Sequence, residues 1–448
     1  MALANLNSTS VNAPAAASSY KGPLAVVTTL FFMWGALTSL NDVLIPHFQH
    51  VFHLRLAMSM LVQTSFFSAY FVFSIPSAKV IDWMGYQRAM VTGLLTMGVG
   101  AFLFVPAAKV PSFALFLAAL IVLAAGITLL QVAANPYVTV LGNPKTASSR
   151  LNLTQAFNSL GTTIAPWIGA HFILSDAASA AASATEQAAS VITPYAVLGG
   201  ALVLLAVMIG SFHLPAIESA QHHVGEKVGD SIWKHPNLIF GAIAIFVYVG
   251  AEVSIGSSIA NYLALDNIGY LVSPSAVTNV AARYQEALRL AAKYISLYWG
   301  GAMVGRFIGS ALLQKMKTGT LLALCAVMAA LLVTISVLSN GSAAMWSILL
   351  VGFFNSIMFP SIFTLGVAEL GPLTGDGSGV MIMAIVGGAV IPWIVGKVAD
   401  LVNARFYAGA LWGQGIHHAL IIAAVCYLYI LFFAVSGSKP NSERYARS

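Results

Sequence analysis

The sequence predicts an all-α integral membrane protein whose twelve transmembrane helices form two six-helix halves, related as a parallel repeat. Composition is the first observation. Of 448 residues, 59% are hydrophobic and 8% are charged, whereas about 25% of the residues of a typical soluble domain are charged. Apolar runs of about 20 residues, the length that crosses the hydrocarbon core of a bilayer, recur along the chain. The third observation is a pair of motifs that occurs twice.

The repeated motifs share the spacing between a proline and a glycine. The segment ANPYVTVLG places Gly142 six residues after Pro136, and MFPSIFTLG places Gly366 six residues after Pro360. A second motif follows each of them, APWIGA in the first copy and IPWIVG in the second. Because the order is the same in both copies, the sequence indicates a duplication with parallel repeats.

Each apolar run is expected to form a helix, because a backbone in lipid has to satisfy its own hydrogen bonds. The runs predict spans at residues 24–45, 58–79, 88–107, 112–139, 152–174, 193–213, 237–263, 292–314, 319–338, 343–366, 378–399 and 414–435. The polar segment 214–236 is predicted to be a cytoplasmic linker between an N-terminal half at 23–213 and a C-terminal half at 237–436. We expect cytoplasmic tails at residues 1–22 and 437–448.

The basic residues are distributed unevenly between the two sides of the membrane. Loops on one side carry thirteen of the twenty Lys and Arg residues, and loops on the other side carry seven. Because cytoplasmic loops are enriched in these residues, both termini are expected in the cytoplasm of a cell whose inner membrane holds the protein. The net charge of +6 is spread over short loops, so the sequence does not predict nucleic-acid binding. We expect a monomer in the lipid bilayer.

The first span contains an acidic residue. Asp42 lies among apolar residues in TSLNDVLIPHF, close to Pro46. A carboxylate in a span is costly unless it faces a cavity or a partner, so Asp42 is a candidate for coupling transport to a cation. The alternative is a position at the outer end of the helix, among the lipid headgroups.

The loop after the second span, AKVIDWMGYQR, resembles the loop signature of the Major Facilitator Superfamily, in which a small residue, an aspartate, a glycine and a basic residue follow one another. Asp82, Gly85 and Arg88 hold the matching positions. An aspartate at a helix end with a basic partner can latch the two halves, so these residues are predicted to form a cytoplasmic gate. A parallel repeat of six helices is the architecture of that superfamily.

Carboxamide side chains are concentrated in the fourth and fifth spans. Gln131 and Asn135 are four residues apart, and Gln155 and Asn158 are three residues apart. Each pair therefore projects from one face of its helix. The two spans form a helical hairpin, so we predict that these four side chains line one central cavity.

The seventh span, in YVGAEVSIGSSIANYL, places Glu252 in the middle of a helix. We expect this carboxylate to contact the substrate or the coupling cation. The alternative is a structural ion pair with Arg306 of the eighth span. Asn261 lies on the opposite helix face from Glu252, and would reach the same cavity only if the helix unwinds near Gly256.

In the tenth span, VGFFNSIMFP places Asn355 among phenylalanines. Sugars present hydroxyl groups and apolar C–H faces, which require carboxamide hydrogen bonds and aromatic surfaces. The sequence therefore predicts a site for a neutral sugar between the halves. The residues expected to contact the sugar are Gln131, Asn135, Gln155, Asn158, Glu252 and Asn355.

Four segments, TSLNDVLIPHFQ, QVAANPYVTVLG, RLNLTQAFNSLGTTIAP and FPSIFTLG, resemble the fucose and glucose–galactose permease branch of the same superfamily over essentially the whole chain. The resemblance implies a sugar importer with Asp42 as the coupling carboxylate and Gln155 and Asn158 as sugar contacts. The fucose type has a glutamate where this chain has Gln131, which is the form of the glucose/galactose members. Glucose and galactose are thus the expected substrates, and fucose or an N-acetylated hexosamine are the alternatives.

Two cations are compatible with these residues. One carboxylate, at Asp42, is sufficient for a proton, and the resemblance favours proton symport. Alternatively, Asp42 and Glu252 would join carboxamide oxygens around Na⁺. The neutral side chain of Gln131 suits Na⁺, since it supplies an oxygen ligand and cannot carry a proton.

A polytopic membrane enzyme and a non-transporting sugar sensor are the alternatives from other functional classes. An enzyme needs a nucleophile–base set or metal ligands at one depth, whereas the histidines lie in loops or near span ends. A sensor usually carries a soluble output domain, and the tails are short. The sequence contains no phosphate-binding P-loop, so it does not predict ATP-driven transport or a cofactor.

Overall fold

The computed structural model describes residues 20–52, 61–169, 188–212, 214–215, 231–269, 271, 280–407 and 414–440. Within these residues the chain forms α-helices joined by short 3₁₀ turns, and no strand occurs among them. Most of the predicted linker and both predicted tails lie outside the described residues, so those three segments stay predictions.

The first half contributes five described helices. They are α1 (Lys21–Val51), α2 (Leu61–Lys109), α3 (Phe113–Val140), α4 (Ala147–Gly169) and α5 (Ile192–Ser211).

The second half contributes nine described helices, some of them short. They are α6 (Pro236–Leu263), α7 (Val280–Leu312), α8 (Thr318–Leu338), α9 (Gly341–Asn355), α10 (Met358–Gly366), α11 (Thr374–Met383), α12 (Gly387–Phe406), α13 (Gly415–Ala419) and α14 (Ile421–Phe432).

All twelve predicted spans fall on helices over most of their described length. Nine stretches of the described residues are long and apolar enough to cross a membrane. One of them, Thr64–Lys109, covers two predicted spans. α4 and α7 cover two more, and both carry many polar residues. The all-helical membrane fold is therefore confirmed, whereas the count of twelve crossings stays a prediction.

α2 turns from the second predicted span to the third at a single residue. Gly85 has φ 79° and ψ 169°, and it interrupts the helical backbone within α2. Positive φ values are costly for residues with a Cβ atom and accessible to glycine. The sequence predicts a loop over residues 80–87, but helix continues on both sides of Gly85.

The tenth predicted span is broken at Ser356 and Ile357, between α9 and α10. Pro360 has no N–H group, so the carbonyl oxygen of Ser356, four residues earlier, lacks its helical donor. Pro136, the matching proline of the first half, lies inside α3 and frees the carbonyl oxygen of Val132 in the same way. Each copy of the repeated motif thus carries, in the middle of a span, one carbonyl group without a donor from its own helix.

Three glycines form a stripe on α7, which we call the glycine stripe: Gly301, Gly305 and Gly309. A Cβ atom on Gly305 would lie 2.5 Å from the carbonyl oxygen of Phe353 in α9. One on Gly309 would collide with the side chain of Ile357. Small residues at every fourth position let membrane helices approach closely, so the backbones of α7 and α9 are in direct contact.

Candidate functional site

The structure brings Asn135 and Gln155 together in the first half. The amide nitrogen of Gln155 lies 3.3 Å from the side-chain oxygen of Asn135, and both residues are buried. The Asn135 nitrogen has no hydrogen-bond partner among the described residues. An unpaired buried donor costs about 1–3 kcal/mol, so this nitrogen is a position where a ligand oxygen would be stabilised.

The other two carboxamides of the first half are held by neighbouring helices. Gln131 donates a hydrogen bond of 2.7 Å to the hydroxyl oxygen of Tyr70 in α2. Asn158 donates one of 2.9 Å to the carbonyl oxygen of Phe31 in α1. Tyr70 and Phe31 could not be found from the sequence, because these contacts depend on which helices pack against α3 and α4.

In the second half, Glu252 and Asn355 belong to one polar cluster. The hydroxyl of Tyr248 donates a hydrogen bond of 2.7 Å to the Glu252 carboxylate and lies 3.1 Å from the carbonyl oxygen of Asn355. Asn355 donates one of 2.8 Å to the hydroxyl of Tyr298 in α7. Glu252 is partly exposed, so this cluster presents a carboxylate, an amide and two phenols.

Glu252 does not form the ion pair with Arg306 that the sequence offered as an alternative. Among the described residues no nitrogen of Arg306 lies within 4.0 Å of that carboxylate. Arg306 instead donates to the carbonyl oxygens of Ser356, at 3.1 Å, and Gln155, at 3.4 Å, and to the hydroxyl of Ser159. The sequence suggests Arg306 only as a partner of Glu252, because the other acceptors of its guanidinium depend on how α4 and α9 pack.

Asn261 does not join this cluster. α6 continues without a break from Pro236 to Leu263, so the unwinding near Gly256 that Asn261 required does not occur. A Cβ atom on Gly256 would lie 2.9 Å from the ring of Trp299. This glycine therefore serves the packing of α6 against α7.

Asp42 lies in α1, and the helix continues for nine residues beyond it to Val51. Its side chain lies outside the described residues. The coupling role of Asp42 therefore stays a prediction.

The predicted gate contains an ion pair that joins the halves. The Lys79 ammonium lies 3.0 Å from the carboxylate of Asp376 in α11 and 3.7 Å from that of Asp82. Lys79, rather than the predicted Arg88, is thus the cation beside Asp82. Arg88 forms no ion pair in the part of the chain that the structure describes. Gly85 provides the turn after Asp82.

Further hydrogen bonds close the seam between α4 and the second half near the same end. Ser149 donates to the carbonyl oxygen of Ser310 at 2.7 Å, and Ser310 donates to that of Ser149 at 2.9 Å. The hydroxyls of Thr318 and Ser148 are 2.9 Å apart. The two halves therefore meet at the end that the sequence predicts to be cytoplasmic.

The cavity between α1, α4 and α5, of about 730 Å³, is a different kind of space. Its lining is mainly apolar and includes Phe32, Phe157 and Leu204. The hydroxyls of Thr28 and Thr29 on this surface bond to carbonyl oxygens of their own helix. The cavity therefore offers few groups to a sugar.

A family model described as the Major Facilitator Superfamily matches residues 26–392. The chain belongs to this superfamily. It is 46% identical over 421 residues to the glucose/galactose transporter of Brucella abortus biovar 1 (strain 9-941), with 94% of this chain and 95% of the relative covered. It is 32% identical to the L-fucose-proton symporter of Escherichia coli (strain K12), with 93% of each covered.

Solved structures agree with this membership. The chain resembles a variant of the E. coli fucose:proton symporter FucP with a TM-score of 0.81 and 31% identity, covering 94% of this chain and 100% of the other. A structure of FucP in the outward conformation gives a TM-score of 0.79 and 32% identity, with 93% and 99% covered. The predicted branch of the superfamily is thus confirmed, and the protein is a multi-pass membrane protein.

Proposed function

We propose that this superfamily member is a symporter that imports a hexose together with a proton by alternating access. The observation that carries the proposal is the pair of polar clusters around Gln155 and Asn355. One lies in each half, and each contains at least one buried carboxamide. Neutral hydrogen-bonding groups with neighbouring phenols suit a polyol better than an ion. The relative with 46% identity is a glucose/galactose transporter, which supports the same substrate class.

Glucose and galactose are the substrates we rank first, followed by fucose and N-acetylated hexosamines. Gln131, Asn135, Gln155 and Asn158 would hold the sugar from the first half, together with Glu252 and Asn355 from the second. The free nitrogen of Asn135 suits a sugar hydroxyl, since a hydroxyl accepts as well as donates hydrogen bonds.

We infer that the coupling cation is a proton and that its acceptor is Asp42, with Glu252 as the second candidate. The name of the fucose-proton symporter supports the proton. Protonation of a carboxylate removes the free-energy cost of moving its charge through the closed state. The distribution of basic residues supports an inner-membrane protein with both termini in the cytoplasm, and we expect a monomer.

Uptake into liposomes that contain the purified protein tests this function. An inward proton gradient without sodium is expected to drive accumulation of labelled glucose or galactose, and a protonophore should abolish it. Competition by fucose and N-acetylglucosamine ranks the alternative sugars. Accumulation that requires sodium would overturn the assignment of the proton as the coupling ion. Sugar binding without exchange would indicate a sensor.

A further inference from the structure

The cavity between α1, α4 and α5, which we call the lateral cavity, is as long as one leaflet of a membrane is thick. Its lining on α1 extends from Lys21 to Met33, in a stripe of residues three or four positions apart. The helix rises about 18 Å between these two residues, at about 1.5 Å per residue. Half of a hydrocarbon core of about 30 Å is about 15 Å. The lateral cavity therefore extends from the beginning of α1 to about the middle of the bilayer.

The lateral cavity lies at the periphery of the first half. α5 packs against α2 and α1, and its residues Leu204 and Met208, which line the cavity, are 72% and 41% exposed. The hydroxyls of Thr28 and Thr29 bond to their own helix, so the lining offers little to a polar ligand. The volume of about 730 Å³ is within the range of about 300–1,000 Å³ found for ligand sites. An acyl chain from the surrounding membrane suits such a cavity.

The walls of the lateral cavity are held in place by contacts outside it. Phe157 of α4 packs edge-to-face against Phe307 of α7, with ring centroids 6.1 Å apart. Gln87 of α2 donates hydrogen bonds of 2.8 Å and 2.7 Å to the carbonyl oxygens of Ile209 and Phe212, which fix the end of α5. The cavity is therefore part of the folded chain, and a ligand would not have to open it.

A lysine lies at one end of the lateral cavity. Lys21 lines it at the beginning of α1, and its ammonium forms no hydrogen bond or ion pair with any residue that the structure describes. The neighbouring Tyr20 is 41% exposed, and exposed tyrosines are typical of the membrane–water interface. The ammonium is thus at the level of the lipid headgroups, on the side that the sequence predicts to be cytoplasmic. Basic pockets between helices on this side of a membrane suit anionic headgroups.

We propose that the lateral cavity binds one acyl chain of an anionic phospholipid, and that Lys21 binds the phosphate of the same lipid. The apolar lining gives no preference over the bilayer, because lipid tails are as apolar as the side chains. Selection comes from the headgroup, where one lysine near the membrane surface favours an anionic lipid about fivefold. A zwitterionic lipid also has a phosphate, but its cationic group repels the ammonium. The site does not depend on the proposed symport.

Photolabelling of the full chain in vesicles tests this site. The probe is phosphatidylglycerol with a diazirine in one acyl chain, present as a minor component of phosphatidylcholine vesicles. Adducts are mapped by mass spectrometry of peptides, and we expect them to concentrate on the lining residues of α1 and α5. The same diazirine on phosphatidylcholine should label these peptides about fivefold less. Ala25→Trp, which fills the cavity from an exposed position on α1, should remove the adducts.

Lys21→Gln should lower the labelling by phosphatidylglycerol about fivefold, to the level of phosphatidylcholine. Because Lys21 is exposed, we expect this variant to fold. Lys317→Gln is the matched control and should leave the labelling unchanged, since Lys317 is exposed on the same predicted side but does not line the cavity.

Two results would overturn the site. Equal labelling of the parent chain by the two lipids would show only the ordinary lipid that surrounds the helices. Labelling that occurs only after removal of residues 2–18 would identify the N-terminal segment as the occupant of the cavity. Sugar uptake does not enter this experiment, so its outcome is independent of the test of symport.

Discussion

Ser378 of the second half donates a hydrogen bond of 2.8 Å to the backbone oxygen of Val132 in the first half. That oxygen is free because Pro136, four residues later, has no N–H group. The matching Pro360 frees the oxygen of Ser356, which binds Arg306. The repeated prolines thus supply acceptors, one used directly by the other half and one used by the side chain that reaches it.

Replacing Ser378 tests the first of these acceptors. Ser378→Ala leaves the carbonyl group of Val132 without its donor, so we expect a loss of about 1–3 kcal/mol in the free energy of unfolding. In a chain with Pro136→Ala the new amide N–H satisfies the same oxygen, and Ser378→Ala should then cost less. Denaturation of the single and double variants gives the interaction energy.

Ser361→Ala is the control for that experiment. Ser361 is as buried as Ser378, but its hydroxyl has no hydrogen-bond partner among the described residues. Its substitution should change stability little. Equal costs of Ser378→Ala with and without Pro136 would contradict the assigned role of the proline.

The carboxamide pair of α4, Gln155 and Asn158, is expected to determine sugar affinity. Gln155→Ala or Asn158→Ala should weaken sugar binding about fivefold without unfolding the protein, since each removes a hydrogen-bonding group worth about 1 kcal/mol. Asn237→Ala is the control, because among the described residues the Asn237 side chain bonds only to carbonyl oxygens at and just beyond the end of α10. It should lower thermal stability and leave affinity unchanged. Unaltered binding in both site variants would remove Gln155 and Asn158 from the site.

Coupling is tested by separating exchange from accumulation. Asp42→Asn should retain sugar exchange across the membrane and lose uphill uptake, because an amide cannot carry the proton. Glu252→Gln is measured alongside it in the same vesicles. Loss of accumulation in Glu252→Gln but not in Asp42→Asn would transfer the coupling role to the second half.

The ion pair between Lys79 and Asp376 is expected to affect the rate of opening more than stability. The Lys79 side chain is 63% exposed, so the pair contributes about 0–1 kcal/mol. Lys79→Met should raise the reactivity of a cysteine placed at Ser149, and exchange of the charges, with Lys79→Asp and Asp376→Lys, should restore the parent value. Arg88→Gln is the control, because Arg88 forms no ion pair with any residue that the structure describes, and an equal effect there would exclude a specific latch.

The sequence could predict the helices and part of the site. Hydropathy locates spans because lipid leaves the backbone no alternative to the helix, and helix geometry placed Asn135 opposite Gln155. The partners Tyr70 and Phe31 could not be predicted, because they lie on other helices. Charge alone suggests Glu252 as the partner of Arg306. In the structure its side chain instead binds the carbonyl oxygen of Ser356, which lacks a helical donor because of Pro360, and acceptors on α4 of the other half.

The glycine stripe of α7 has a mechanical consequence. Where two helix backbones are in contact, no flexible side chains lie between them to absorb a displacement. We therefore expect α7 and α9 to move as one rigid unit. Arg306 lies near the C-terminal end of α7. The helix continues for six further residues, rising about 1.5 Å each, to Leu312. A small tilt of this rigid unit at Arg306 would therefore displace Leu312, at the end of α7, further than the residues next to Arg306.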